Sequence, residues 1–166
     1  MNRIFLIGYM GSGKTTVGKI LAAKMGYNFI DMDAHIEEQQ FKSISQLFFE
    51  CGEDGFRIME QKCLHEVAQF ENTVISTGGG TPCFYDNMEY MNDHGTTIYL
   101  QFTANELATR LSSQASKRPL IANLKDDELL DFISDGLTKR EPFYNTAKYS
   151  VKGDLNSVVT QILSLL

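Results

Sequence analysis

The chain has 166 residues, enough for one domain with a single buried core and too few for two ordinary ones. Its composition, 43% apolar and 22% charged, is that of a globule and excludes a disordered or fibrous chain. The net charge is −6 and no block of consecutive Lys and Arg occurs, so a nucleic-acid partner is not expected, and an anionic ligand must be met by individually placed arginines.

Arg3 to Ile7 reads as a buried strand that runs into "GYMGSGKTTVGK", residues 8 to 19. Gly8 and Gly13-Lys14-Thr15 fit the spacing G-x-x-x-x-G-K-[ST], between the strand and the helix that this phosphate-binding loop requires. Glycines let backbone N–H groups curl around phosphate oxygens, and a helix starting near Lys14 points its positive end at them. The nucleotide contacts are therefore expected from Gly11, Ser12, Gly13, Lys14, Thr15 and Thr16. Lys14 supplies a charge to the outer phosphates, and the Thr15 hydroxyl can ligate Mg²⁺. The expected ligand is a nucleoside triphosphate with Mg²⁺.

Val17, Ile20, Leu21 and Met25 place one apolar face on the helix that follows, and Asn28 to Asp31 is a second strand. At its end stand Asp31 and Asp33. Two carboxylates one residue apart can face different ways, one toward a metal and one toward a bound hydroxyl, although Asp31 is also a helix-capping type. From Phe56, the positions Met59, Cys63, Val67 and Phe70 predict an amphipathic helix. Arg57 and Glu60 lie beside that stripe, either as a plain intrahelical ion pair or as an arginine held by Glu60 and aimed at a ligand. Thr73 to Ser76 is a third strand that ends in Gly78-Gly79-Gly80, whose bare backbone permits close approach of a substrate.

Thr96 to Phe102 is a fourth strand, and Thr103 with Glu106 forms a capping box for the next helix. Residues 111 to 119 are polar, a solvent-facing insertion able to move, with Arg118 at its edge. A helix follows from about Asp126 to Arg140 and is ended or kinked by Pro142. Lys148 to Val151 is a weak last strand. Val158, Val159, Ile162, Leu163 and Leu166 mark a closing helix. The alternation of strand and helix predicts an α/β fold with a five-stranded parallel sheet between two helical layers, in which Gly8, Asp31 and Gly78 converge at the strands' carboxyl ends.

Cys51, Cys63 and Cys83 are odd in number and lack metal-site spacing, so they read as reduced thiols with at least one in the core. His35, His65 and His94 read as surface or helix-face residues. No apolar stretch approaches the roughly twenty residues of a membrane span, and no cleavage pattern follows the first strand, so a cytoplasmic protein without a membrane partner is expected.

Taken in order, Gly8 to Thr15, Asp31 and Asp33, "SISQLFFECGEDGFRIME" from Ser43 to Glu60, "STGGG" from Ser76 to Gly80, Arg118-Pro119-Leu120, and Arg140 with Pro142, Tyr144 and Ala147 resemble the shikimate kinase family over nearly the whole length. The resemblance implies a P-loop NTPase fold akin to nucleoside monophosphate kinases, acting as a monomer. It implies one kinase domain over residues 1–166, with an acceptor-binding segment at about 32–60 and a mobile lid at about 111–122. It also implies ATP and Mg²⁺, with the 3-hydroxyl of shikimate as acceptor in chorismate biosynthesis.

By the family pattern Asp33 holds the acceptor hydroxyl, Asp31 supports the metal through water, and Arg57 and Arg140 clamp the ring carboxylate. Gly79 and Gly80 donate backbone contacts, Arg110 lies against adenine, and Arg118 closes over the transferring phosphate. Two rivals remain at this stage: a gluconate or nucleoside monophosphate kinase of similar topology, and a nucleotide-binding switch without transfer chemistry. Intact Lys14, Asp31 and Asp33 argue against the second.

Overall fold

The computed structural model describes residues 2–113 and 121–166. The insertion that carries Arg118 lies mostly outside them. Its described flanks, Leu111 and Ile121, are fully buried in the core.

Five parallel strands form one sheet in the order β2-β3-β1-β4-β5: β1 (Arg3–Ile7), β2 (Asn28–Asp31), β3 (Thr73–Ser76), β4 (Thr96–Leu100) and β5 (Tyr149–Val151). The sheet centres on β1, whose run Ile4-Phe5-Leu6-Ile7 is buried on both faces, as an unbroken apolar strand between helical layers must be. Leu6 and Asp31 both pair with Ser76, so the carboxyl ends of β1, β2 and β3 finish level. The loops that follow these three strands therefore share one edge, and the crevice lies there.

Among the described residues seven α-helices complete the fold: α1 (Lys14–Met25), α2 (Met32–Gln40), α3 (Ile44–Val67), α4 (Asn87–His94), α5 (Ala104–Ser112), α6 (Asp126–Tyr144) and α7 (Leu155–Leu165). On α1, Val17 and Leu21 are buried while Ile20 and Met25 pack at the margin. The helix from Phe56 proves to be the second half of α3, which begins twelve residues earlier under a Ser43–Gln46 capping box and bends at Gly52 (φ 68°). Phe70 falls beyond its end and is 46% exposed, so the apolar stripe stops at Val67.

Two further boundaries differ from the sequence reading. The fourth strand stops at Leu100, and Phe102 belongs to the connection to α5, where the Thr103–Glu106 capping box forms as expected. Helix α6 does not end near Arg140: it runs through Pro142 to Tyr144, and Asn145 N–H still donates to Glu141 O at 2.8 Å. Proline deletes one donor without forbidding the next turn, because the surrounding packing holds the helix. Arg140 thus stands inside a rigid helix, one turn before Tyr144.

Cys63 is buried, Cys83 partly buried and Cys51 exposed, all as free thiols. His65 and His94 flank Tyr90 in a stack with ring centroids 4.1 and 3.9 Å apart between α3 and α4.

Candidate active site

The loop after β1 takes positive φ at Gly8, Gly11 and Gly13 (148°, 80° and 89°), a path that β-carbons would strain. Gly13 caps α1 without a side-chain bond, and the first turn holds no acidic residue, so its N–H groups stay available to an anion. The Lys14 ammonium is buried and donates to Gly8 O (2.8 Å) and Tyr9 O (3.1 Å). Arg110 lies with its guanidinium 4.3 Å above the Phe102 ring and makes a 3.4 Å contact to Gly11 O. A crevice of about 440 Å³ opens here, lined by Gly11, Gly13, Lys14, Thr15, Thr16 and Arg110 on one side and by Asp31, Asp33 and Gly79 on the other. Ser12 is buried beneath the loop, so any contact it makes with phosphate is through its backbone.

Asp31 is the helix cap that its residue type allows, and its second oxygen remains at the phosphate loop. One carboxylate oxygen accepts from Ala34 N–H (3.2 Å) and caps α2, while the other accepts from the Thr15 hydroxyl at 2.6 Å. Two hard oxygens thus meet beside the phosphate loop, a donor set that suits Mg²⁺. Asp33 projects into the crevice from the first turn of α2. It is open to solvent at the crevice mouth, yet the enclosing walls push its carboxyl up to about 6; Asp31, Glu60 and Glu37 add repulsion, and Lys14 opposes them.

The wall beyond Gly79 is built from three elements. Arg57, on α3, pairs with Glu60 at 2.8 Å, and both are almost completely buried, so the ion pair is not the surface pair of the bland reading. Its guanidinium sits 4.1 Å over the Phe84 ring. Glu60 also accepts from the Thr81 hydroxyl (2.6 Å), tying the arginine to the turn after the triglycine run. Nε of Arg57 is buried without an acceptor among the described residues, and Nη2 has only a 3.4 Å contact to Glu53, so donor capacity remains.

Gly80 backs directly onto this guanidinium: a β-carbon there would stand 2.6 to 2.9 Å from its atoms. Gly79 faces the other arginine, with Arg140 Nη1 3.2 Å from the corresponding position. Arg140 itself lies over the Tyr9 ring at 5.2 Å. Arg57, Gly80 and Arg140 do not line the 440 Å³ space; Gly79 does, with Arg140 beside it and Arg57 one residue on, against Gly80. Burial pushes the Cys83 thiol nearby up to about 11, which keeps it neutral.

All the site residues read from the sequence lie around this crevice except Arg118, which falls outside the described residues. Thr81, Phe84, Tyr9 and Tyr144 were not assigned roles from the sequence. Tyr9 sits inside the phosphate-loop motif at a variable position, Tyr144 entered only as part of the Arg140–Ala147 family pattern, and Thr81 and Phe84 carry no local signal. Among the described residues no group of three or more His, Cys, Asp or Glu side chains is arranged for a metal, so an ion at the Thr15–Asp31 pair would need water and phosphate oxygens to complete its shell.

The family model for shikimate kinase matches residues 10–166. The shikimate kinase of Phocaeicola vulgatus is 59% identical over 154 residues, covering 93% of this chain and 88% of that protein. The crystal structure of shikimate kinase from Bacteroides thetaiotaomicron superposes with a TM-score of 0.95 at 50% identity, covering 99% of this chain and 97% of that one. Shikimate kinase from Acinetobacter baumannii in complex with shikimate superposes with a TM-score of 0.88 at 31% identity, covering 99% and 92%.

Proposed function

Because the chain belongs to the shikimate kinase family, it uses ATP to phosphorylate the 3-hydroxyl of shikimate, and we propose that the residues around the crevice carry out the transfer in the roles given below. The product is shikimate 3-phosphate, in the pathway to chorismate and the aromatic amino acids. The observation that carries the residue assignment is the convergence on one crevice of a phosphate loop, an acid with a raised pKa and a glycine turn bracketed by two arginines.

On the nucleotide side, the N–H groups of Gly11 to Thr16 hold the phosphates, and Arg110 lies against the adenine. Lys14 turns its ammonium from the Gly8 and Tyr9 carbonyls toward the outer phosphates as charge develops there. Thr15 and, through water, Asp31 hold Mg²⁺, which when bound neutralises charge on the phosphates.

On the acceptor side, Arg57 and Arg140 grip the carboxylate, because a planar guanidinium can make two parallel bonds that an ammonium cannot. Gly79 and Gly80 donate backbone contacts to the same ligand. Asp33 orients the hydroxyl and accepts its proton. With a pKa near 6 it is ionised at neutral pH, yet more basic than a free aspartate. Phosphoryl transfer asks mainly for positioning and charge stabilisation, and Arg118, closing with the segment at about 111–122, completes both while excluding water.

Residues 1–166 act as one kinase domain, with about 32–60 as the acceptor-binding segment, and the protein works as a cytoplasmic monomer. The net charge of −6 supports the absence of a nucleic-acid partner. Among the described residues no helix is long and apolar enough to cross a membrane. ADP release from ATP and Mg²⁺, measured with shikimate, gluconate, AMP or no acceptor, tests the reading. Turnover is expected with shikimate only, and equal turnover with gluconate or AMP would overturn it.

A further inference from the structure

We propose that Tyr144 is a positioning residue of the acceptor site, which aims the Gly79–Gly80 peptide and ties it to Arg140. The inference rests on the assignment of Arg140 and the triglycine turn to the acceptor pocket. Tyr144 is completely buried at the end of α6, its ring packed against Tyr99 with centroids 5.0 Å apart. Its hydroxyl donates to Gly79 O at 2.5 Å, joining residues 65 apart in the chain. Burial raises the phenol, so the hydroxyl keeps its proton.

In a trans peptide the C=O of one residue and the N–H of the next point in opposite directions. No cis peptide occurs among the described residues. With Gly79 O held by the buried Tyr144 hydroxyl, the Gly80 N–H is turned the opposite way, off a turn whose Gly79 lines the crevice. Among the described residues nothing accepts that N–H or those of Gly78 and Gly79, whereas the Thr81 and Cys83 amides that follow donate to Gly78 O and Gly80 O. Of these uncommitted donors, the Gly80 N–H is the one whose direction the tyrosine sets.

The arginines complete the unit. Arg57 stands against Gly80 and Arg140 against Gly79, so the peptide is bracketed by both guanidiniums. Arg140 is four residues before Tyr144 on the same helix face, with its charge close enough to act on the phenol, while the hydroxyl donates to Gly79 O. The tyrosine that holds the Gly79–Gly80 peptide and one arm of the clamp thus share one turn of α6. A carboxylate gripped by both arms would be sensitive to that relation, whereas the nucleotide phosphates, held by α1, would not.

Tyr144→Phe removes the hydroxyl and keeps the ring. The expected result is a rise of about tenfold in KM for shikimate, with KM for ATP unchanged and kcat altered by less than about threefold. In an Arg140→Lys background the same substitution should add little, since both act on one contact set. Tyr99→Phe is the control: its hydroxyl is equally buried but has no partner among the described residues, so shikimate KM should not move.

An unchanged shikimate KM in Tyr144→Phe, or equal rises for shikimate and ATP, overturns the inference. If Arg140→Lys itself leaves shikimate KM unaltered, the pocket assignment falls and the inference with it. An effect of Arg140→Lys with none from Tyr144→Phe removes the inference alone. Should Tyr144→Phe not fold, ¹⁵N-glycine-labelled wild type decides: the Gly80 amide resonance is expected to shift with shikimate and not with ATP, and an amide indifferent to shikimate overturns the proposal.

Discussion

Replacing Asp33 by Asn should cost the enzyme its activity and make the fold more stable, and the second effect depends on pH in a defined way. The folded protein raises this carboxyl from 3.8 to about 6, mainly by burial and then by repulsion from Asp31 and Glu60. The ionised form is thus disfavoured by folding. The penalty is full above about pH 6 and fades as the pH falls through that value toward the unfolded pKa. A shift of that size corresponds to roughly 3 kcal/mol without solvent screening. Because Asp33 is open to solvent, about 1 kcal/mol is the realistic share. Asn carries no charge and avoids the penalty, so Tm at pH 7.5 should rise by about 2–4 °C. At pH 4 the gain should shrink to less than half. Circular-dichroism melts of both proteins at the two pH values make the comparison. In parallel, kcat should fall by roughly 10²–10⁴-fold, and the acid limb of wild-type kcat/KM should bend near pH 6. A Tm at pH 7.5 equal to or below that of wild type, or a gain independent of pH, would refute the argument that Asp33 is held under electrostatic strain.

Arg57→Lys and Arg140→Lys each keep the charge and lose the fork, so shikimate affinity should fall roughly ten- to a hundredfold with ATP binding nearly constant, measured by titration calorimetry. The losses should not sum in the double variant, and a carboxamide analogue should be almost indifferent to both; equal sensitivity of the two ligands would exclude a carboxylate clamp. Gly80→Ala places a methyl 2.6 to 2.9 Å from the Arg57 guanidinium, which must move, so shikimate KM should rise more than about tenfold while the melting temperature changes little. An unchanged KM would detach Arg57 from the ligand. Arg118→Ala should depress kcat more than it raises shikimate KM, and steady-state kinetics showing the reverse would put Arg118 in the acceptor pocket.

The local parts of this protein were legible because their signals are local. The apolar runs before Gly8 and Gly78 define β1 and β3 to the residue, since strands buried on both faces leave no alternation to misread, and Phe29-Ile30 before Asp31 marks β2, a half-exposed edge strand. The loop from Gly8 to Thr15 declares its chemistry through spacing alone, and the parallel-sheet rule places its neighbours at the same edge. The first half of α3 was legible in the Ser43–Gln46 capping box and went unread, whereas the passage of α6 through Pro142 was not legible, because there packing holds a helix that proline would otherwise end. The acceptor wall shows the same division more sharply. Arg57 and Glu60 could be paired from their three-residue spacing, but that the pair is buried, reaches Thr81 and backs onto Gly80 depends on α3 lying against the turn after β3. The raised pKa of Asp33 and the bond from Tyr144 to Gly79 O join residues with no relation in sequence. Spacing along a chain encodes which face a residue shares with its neighbours, whereas burial, repulsion between distant carboxylates and the direction of a peptide plane exist only once separate segments are brought to one place.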